Sequence, residues 1–423
     1  MKFGKKLMCL LLVFSLVMGQ GAFAQGVYQD IEDHWAKSEI EYWSSQGVIE
    51  GSNGTFRPAE DITRAEMMVM IDRVMQFNKK AANVYDDLHQ TWYTTAVLKN
   101  VQAGIVQGYE GKIYPEGKIS REEAIVMLGR ALNIQEMYGA TQFADNGDIA
   151  SWSLGYVKAF TEKGYVKGRP GNKIDPKATI SRGEVVKLMD NVISGLYGTG
   201  GNYSEDIDGN VVINTSGVTL SDMTIAGNLI IAEGVGDGEV YLDQVAIKGD
   251  VIVKGGGENS IYFNSVTVGG GLVVEKSDGK IRIVASGSTS VKATTLKSGA
   301  ILVEKALIGG GFETVMVPAE VVGDSKVVLT GNFTELNAFS KDLVVELSSK
   351  TVVDIIAVAS GAEGFKLSGA GKAGTLKVEA NNVTNSVQTD RIEVAKDVQK
   401  VVSNGKELAA GSTTSTPSTN NTS

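Results

Sequence analysis

The chain has 423 residues, a formal net charge of −9 and one cysteine. We do not expect such an acidic chain to bind nucleic acid, because phosphate contacts need clustered cations. The two histidines, His34 and His89, both lie in the N-terminal half, which excludes histidine-based catalysis or metal binding from the C-terminal half. We predict no metal site, no cofactor and no catalytic residue.

Residues 1–24 have the organisation of a secretory signal peptide. Three lysines precede an apolar run at about 7–18, and Ala22-Phe23-Ala24 satisfies the small-x-small cleavage rule. This run is too short to span a bilayer, and no later segment is apolar enough to do so. We therefore predict cleavage after Ala24 and no membrane association afterwards, with a retained membrane anchor as the alternative. Cleavage also removes Cys9, so neither disulfides nor thiolate chemistry remain.

The region that follows contains one sequence pattern three times, at 25–82, 83–139 and 140–196. Each copy has an aromatic-x-Asp opening, a tryptophan, a Gly-(apolar)₂-x-Gly turn and a Thr/Ser-Arg-x-Glu segment before an apolar helix. A repeat of about 60 residues indicates a domain built from similar supersecondary units. The markers are Trp35, Trp92 and Trp152, then Gly47/Gly51, Gly104/Gly108 and Gly164/Gly168, and finally Arg64, Arg121 and Arg182.

The Thr/Ser-Arg-x-Glu segments match the capping-box pattern at the start of a helix. In a capping box the hydroxyl accepts from the third helical amide, and the glutamate accepts from the cap amide. Three helices are therefore expected to begin at the three arginines. The predicted capping pairs are Thr63 with Glu66, Ser120 with Glu123, and Ser181 with Glu184.

Capping does not explain the arginines that follow each cap. A cation in the first helical turn faces the positive end of the helix dipole, at a cost of about 0.3–1 kcal/mol. Free amides at a helix N-terminus form an anion site, and an arginine adds a bidentate fork for a carboxylate or phosphate. We therefore hypothesise that Arg64, Arg121 and Arg182 meet acidic groups of a ligand. Internal salt bridges to neighbouring acids are the alternative.

The repeated tryptophans allow two interpretations. An indole is often a core residue, yet its face also stacks on sugar rings while its N–H satisfies a hydroxyl. A tryptophan and an arginine in each of three units would give a repeated sugar-plus-acid site. Such a site suits a long anionic polysaccharide, because each weak contact raises the effective concentration at the next.

These segments resemble the S-layer homology (SLH) repeat. The resemblance is carried by Asp30-Ile-Glu-Asp-His-Trp35-Ala, Gly47-Val-Ile-Glu-Gly51, Gly54-Thr-Phe-Arg57-Pro58 and Ile62-Thr-Arg-Ala-Glu66. It implies an all-α, pseudo-threefold bundle that attaches non-covalently to secondary cell-wall polysaccharide, often pyruvylated, in Gram-positive bacteria. Other surface-layer subunits are a second candidate partner. The residues assigned to polysaccharide binding are Trp35, Gly51, Arg64, Trp92, Gly108, Arg121, Trp152, Gly168 and Arg182.

The later copies depart from this pattern. Repeat two has Thr91-Trp92-Tyr93 in place of His-Trp-Ala and Lys112-Ile-Tyr-Pro115 in place of Thr-Phe-Arg-Pro, while repeat three has extra residues before Trp152. The first repeat is therefore the strongest candidate for ligand binding.

The composition changes after a predicted flexible glycine linker at 197–203. Residues 204–410 consist of short β-prone runs separated by Gly, Asn, Asp and Ser, and Gly227, Gly249 and Gly271 precede three of these runs at a spacing of about 22 residues. This period predicts a right-handed parallel β-solenoid of about eight to ten coils, in which each coil buries its aliphatic residues against the next. An all-β sandwich is the alternative.

The C-terminal region carries no motif that fixes an activity. We predict a structural or adhesive module displayed on the wall, with a polysaccharide lyase or glycoside hydrolase as the alternative, because β-helices often carry carbohydrate chemistry. Residues 411–423 are rich in Ser and Thr and are predicted to be disordered. The whole chain is predicted to be a secreted protein at the cell wall.

Overall fold

A computed structural model describes residues 28–258, 260–277 and 279–415. The predicted signal peptide at 1–24 lies outside the described residues. Among the residues described, no helix has both the length and the apolar character needed to cross a membrane.

The N-terminal part of the structure contains six α-helices, two in each repeat. The second helix of each pair begins at the predicted arginine, and both hydrogen bonds of the capping box are present in all three. The helices are α1 (Lys37–Ser45), α2 (Arg64–Met75), α3 (Thr94–Gln102), α4 (Arg121–Ala131), α5 (Leu154–Glu162) and α6 (Arg182–Val192).

A closed triangle of backbone hydrogen bonds marks the pseudo-threefold axis of this bundle. The amide of Ile62 donates to the carbonyl of Ile180, Ile180 donates to Ile119, and Ile119 donates back to Ile62, at 3.1, 3.2 and 3.4 Å. The isoleucine precedes the helix cap in every repeat, so the three helix N-termini gather at one end of the bundle. The predicted all-α, pseudo-threefold bundle is confirmed.

Each repeat packs on the next in the same cyclic order. Helix α2 contacts α3, α4 contacts α5, and α6 contacts α1. The apolar faces of α2, α4 and α6 meet near the axis, where Ile71, Leu128 and Met189 line one small void. The bundle is therefore one core shared by three repeats.

The C-terminal part is a parallel β-solenoid of about ten coils, which confirms the predicted fold. All pairings are parallel except the last two. The strands are β1 (Ile193–Tyr197), β2 (Gly201–Tyr203), β3 (Asn210–Ile213), β4 (Val218–Ile225), β5 (Leu229–Ile231), β6 (Val240–Ile247), β7 (Val251–Val253), β8 (Ile261–Asn264), β9 (Thr267–Val268), β10 (Leu272–Val274), β11 (Ile281–Gly287), β12 (Ser290–Leu296), β13 (Ser298–Leu307), β14 (Gly311–Val317), β15 (Val322–Thr330), β16 (Asn332–Ala338), β17 (Val344–Leu347), β18 (Val352–Val358), β19 (Lys366–Gly369), β20 (Lys372–Val378), β21 (Thr384–Asn385), β22 (Gln388–Val394), β23 (Val401–Ser403), β24 (Lys406–Leu408) and β25 (Thr413–Ser415).

Pairing between coils divides the solenoid into three faces. The first face contains β1, β3, β5, β7 and β10 and continues through the second halves of β12, β14, β16, β18, β20 and β22. Inward residues alternate with outward ones, so stacked aliphatic side chains fill the interior. Phe312 and Phe333 stack in register inside it, with ring centroids 6.5 Å apart.

A ladder of polar side chains forms one corner of the early coils. Asn210 accepts from the amide of Asn228, Asn228 accepts from Asp250, and Asp250 accepts from Gly271. Each side chain thus satisfies a backbone donor of the following coil where the strand ladder turns. Two of the regularly spaced glycines, Gly227 and Gly249, lie beside this ladder where the preceding coil passes too close for a Cβ: at Gly249 it would lie 2.2 Å from Asn228.

Two predicted boundaries differ from the structure. The linker expected at 197–203 is part of the sheet: β1 follows α6 directly and pairs with β3, and β2 pairs with β4. The tail expected from 411 onward begins with β25, which pairs antiparallel with β22. The rest of that tail, 416–423, lies outside the described residues.

Candidate functional site

The first amides of the three arginine helices are already occupied. Arg64, Arg121 and Arg182 donate their backbone N–H to carbonyls of another repeat, those of Gly117, Ala178 and Glu60, at 2.8–2.9 Å. The next amide in each helix donates to a proline carbonyl, and the third to the capping hydroxyl. The expectation that these helix N-termini offer free amides to an anion is therefore wrong.

The arginine side chains form a cyclic set of ion pairs between repeats. Each guanidinium reaches the capping-box glutamate of the following repeat, and the third repeat closes the cycle onto the first. The pairs are Arg64–Glu123 at 3.4 Å, Arg121–Glu184 at 3.2 Å and Arg182–Glu66 at 2.6 Å. These are the internal salt bridges that the sequence left open as an alternative to ligand binding.

Two of the three arginines are buried and fully engaged. Arg121 and Arg182 also donate from Nε to the carbonyls of Ile174 and Phe56, each at 2.9 Å. The guanidinium of Arg182 lies 4.5 Å from the centre of the Phe56 ring. Burial lowers the pKa of both arginines, yet guanidinium groups titrate so high that both stay cationic.

Arg64 has a different environment. Its Nε is buried and has no hydrogen-bond partner among the described residues, and its Nη2 donates to the carbonyl of Gln107 at 3.3 Å. Beside it lies a cavity of about 260 Å³. The lining residues come mostly from the second repeat: Gln107, Tyr109, Ile113, Tyr114, Gly117, Lys118, Ile119 and Glu123. We call this space the Arg64 groove.

The loop beside Arg121 differs from the loop beside Arg64. Tyr109 follows Gly108 in the second repeat, whereas Arg169 follows Gly168 in the third. Arg169 binds Glu184 at 2.5 Å and Asp175 at 3.7 Å, so a protein cation occupies the position beside Arg121. Nη2 of Arg182 donates to the carbonyl of Glu50 at 2.9 Å, which is the counterpart of the contact between Arg64 and Gln107.

The repeated tryptophans are on the surface. Trp35, Trp92 and Trp152 are 60%, 69% and 49% exposed, whereas Trp43, which lies outside the repeated pattern, is fully buried. Exposure contradicts the core interpretation of the three markers and leaves their rings available to a ligand. None of the three lines the Arg64 groove.

The second glycine of each turn is required for packing. A Cβ on Gly51 would lie 2.4 Å from the Tyr28 ring, one on Gly108 2.3 Å from Tyr85, and one on Gly168 2.8 Å from Phe143. These rings belong to the aromatic-x-Asp openings. The glycines therefore let each opening pack under its own turn, and they support the loops that carry Tyr109 and Arg169.

The aspartates of these openings hold the loops that follow. Asp87 accepts from the amides of Ile113 and Tyr114 at 2.9 and 2.8 Å, and Tyr114 adopts a left-handed φ of 54°. The same arrangement recurs in the other repeats at Arg57 and Asp175. Local aspartate bonds thus fix a strained residue at the edge of each arginine site.

Sequence reasoning missed Gln107, Tyr109, Tyr114 and Lys118. The sequence feature that could have identified these residues is the departure of the second repeat from the pattern of the first, for example Lys112-Ile-Tyr-Pro115 in place of Thr-Phe-Arg-Pro. Across the described part of the chain, no group of three or more His, Cys, Asp or Glu side chains could hold a metal ion.

The comparison with protein families matches three segments to the S-layer homology domain, at residues 27–68, 84–125 and 142–186. Among curated proteins, exoglucanase XynX of Acetivibrio thermocellus is 31% identical over 170 residues, which is 38% of this chain and 16% of the relative. The S-layer protein of Bacillus thuringiensis subsp. finitimus is 27% identical over 162 residues, which is 37% of this chain and 20% of the relative. The S-layer protein sap of Bacillus anthracis is 27% identical over 179 residues, which is 41% of this chain and 22% of the relative.

The relatives share the SLH region only, and the chain spans about a fifth of their length. Their names include enzymes as well as S-layer proteins, so proteins with different named functions share the SLH region. The chain therefore contains three tandem S-layer homology domains that precede a β-solenoid, and this organisation indicates a secreted, wall-associated surface protein.

Proposed function

We propose that this protein is held on the cell wall by anionic secondary wall polysaccharide, and that the Arg64 groove is its principal binding site. The observation that carries the proposal is the buried, unpartnered Nε of Arg64, a residue that lines an open cavity. A buried donor without an acceptor costs free energy, which an incoming acceptor recovers.

The chemistry of the groove suits an acidic sugar. Arg64 and Lys118 supply two cations against the single carboxylate of Glu123. A guanidinium binds a carboxylate through parallel N–H groups, such as the carboxylate of a pyruvylated sugar. Tyr109 and Tyr114, 68% and 49% exposed, add aromatic surface for the sugar ring and hydroxyls for its polar edge.

The other two arginine sites have a structural role in this proposal. Arg121 and Arg182 donate to acceptors within the protein. Arg169 supplies a cation to Glu184 at the repeat position that Tyr109 occupies beside Arg64. Ligand contacts away from the Arg64 groove would then come from the exposed Trp35, Trp92 and Trp152.

A sedimentation assay with purified cell walls tests this proposal. The full-length secreted protein is incubated with native walls and with walls stripped of secondary polysaccharide, and the Arg64→Gln variant is run in parallel. We expect binding to fall at least about tenfold on stripping and in the variant, as for the loss of one charge-assisted pair. The matched control is Arg57→Gln, which removes an exposed arginine paired with Glu60 outside the groove. Binding of Arg64→Gln at the wild-type level would refute the assignment.

The solenoid is proposed to be a structural or adhesive module. Its faces consist of continuous parallel ladders, and the relatives named as enzymes do not extend into it. Release of oligosaccharide from pectin, uronate polymers or wall glycans by the purified protein would contradict this proposal and favour a lyase or hydrolase.

A further inference from the structure

Three outward side chains of the solenoid lie inside the hydrophobic core of the bundle. Val212, Ile230 and Ile252 occupy successive rungs of the first face, on β3, β5 and β7. Outward residues of a sheet face normally meet solvent, yet all three are fully buried and cluster with the SLH helices. Val273, on the next rung, lies outside this cluster and is partly exposed. The bundle therefore covers the first rungs of this face and no more.

The solenoid also caps two of the arginine helices. The last carbonyls of an α-helix have no partner within the helix. Asn214 donates from Nδ2 to the carbonyl of Val74 at the end of α2, and Asn210 donates to Val192 at the end of α6, each at 2.8 Å. The caps are supplied by β3 and by the residue that follows it, so they exist only when the solenoid is folded.

A third contact joins the loops of the early coils to the segment that connects the first two repeats. Asn78 donates from its amide and its side chain to Glu233, both at 2.8 Å, and Lys79 donates to the carbonyl of Ser277 at 2.8 Å. A Cβ on Gly234 would lie 2.6 Å from Gln76. The two segments are therefore in close contact, with no room for a side chain at Gly234.

From these contacts we infer a further function for the solenoid: its first four coils are a structural part of the wall anchor. Helices α2 and α6 carry Arg64 and Arg182 at their N-termini and rest on the solenoid at their C-termini, about 18 Å away for the twelve residues of α2. The later coils are then presented at a fixed orientation, opposite the arginine end. We call the contact surface between the bundle and the first coils, centred on Val212, Ile230 and Ile252, the seam. The inference rests on the seam alone and not on the identity of any ligand.

Hydrogen exchange of the full-length protein tests this dependence. The variant Ile230→Asp/Ile252→Asp places charges in the seam without changing the solenoid interior. We expect the amides of α2 and α6 to lose at least about 100-fold in protection, the lower bound for exposing two buried isoleucines, while β20, far along the solenoid, keeps its protection. The matched control is Val273→Asp/Met316→Asp, which changes outward residues on later rungs of the same ladder.

Unchanged exchange in α2 and α6 of the seam variant would overturn the inference, as would an equal loss in the control. If the aspartates also lower the exchange protection of β20, the milder variant Ile230→Ala/Ile252→Ala is measured instead. In that variant, α2 and α6 must lose more protection than β20 for the inference to hold. Calorimetry provides a second readout that needs no polysaccharide. We expect the wild-type bundle and early coils to unfold in one transition, which the seam variant splits in two; two separate transitions in the wild type would contradict the inference.

Discussion

Arg121 of the second repeat donates from Nη1 to Oε1 of Glu184 in the third repeat, across 3.2 Å. The same carboxylate group accepts from the backbone amide of Ser181 at the start of its own helix. Glu184 therefore joins a local helix cap to a contact between repeats. Because Glu66 and Glu123 do the same for Arg182 and Arg64, the capping box closes the threefold bundle as well as starting its helices.

The arginines should differ in their effect on stability. Arg121→Gln removes a buried cation that donates to both Glu184 and the carbonyl of Ile174, so we expect a loss of about 3 kcal/mol in the free energy of unfolding. Arg64→Gln breaks a longer and more exposed pair, and we expect about 1 kcal/mol or less. Urea denaturation followed by tryptophan fluorescence measures both, because all four tryptophans lie in the anchor. Equal losses would contradict the assignment of Arg121 to structure and Arg64 to binding.

The turn glycines should show a graded response to alanine. A Cβ at Gly51 meets both Thr55 O at 2.2 Å and the Tyr28 ring, whereas at Gly168 the nearest atom is 2.8 Å away. We expect Gly51→Ala to cost about 3 kcal/mol and Gly168→Ala about 1 kcal/mol, as for overpacked sites. Gly147→Ala is the control, since nothing lies within 4 Å of its Cβ. Thermal unfolding of the three variants gives the order, and a neutral Gly51→Ala would refute the packing role.

Local patterns of the sequence predicted much of this fold. The capping boxes at Thr63, Ser120 and Ser181 depend on residues three apart, and the coil period is visible because each coil repeats the same contacts. The seam could not be predicted in this way. Asn214 and Val74 are 140 residues apart. From the sequence, the glycines at 198–201 are interpreted as a flexible linker, because glycine composition carries no information on strand pairing between coils.

The candidate site was predictable only in part. Arg64, Arg121 and Arg182 occupy the same position of the repeat, so one role was expected for all three. Arg64 and Arg121 differ because the following repeat places Tyr109 beside the first guanidinium and Arg169 beside the second. Which loop faces which arginine depends on the closure of the threefold, which a linear pattern does not encode.

The Glu184 pair should make the anchor sensitive to acid. Burial acts to raise the pKa of Glu184, but the Ser181 amide and the charges of Arg169 and Arg121 outweigh it and hold that pKa below its ordinary value. A carboxyl with a lowered folded-state pKa contributes stability above its unfolded pKa of about 4.3, and the contribution is lost as the pH falls through the folded value. Glu184→Gln should therefore be less stable than wild type at pH 7, with the gap closing below about pH 4. Denaturation curves that stay equally far apart from pH 7 to pH 3 would show that the carboxylate is not the source.

The exposed tryptophans should affect binding without affecting stability. Trp35, Trp92 and Trp152 face solvent, so we expect replacement of any one by alanine to change the free energy of unfolding by no more than about 0.5 kcal/mol. Trp43→Ala is the matched control, because the loss of a fully buried indole should cost about 3–5 kcal/mol. If the exposed rings stack on sugar, each surface variant weakens wall sedimentation several-fold while its thermal unfolding stays at the wild-type temperature. Wild-type sedimentation by all three would restrict polysaccharide binding to the Arg64 groove, because no other exposed aromatic side chain repeats in every SLH domain at the same position.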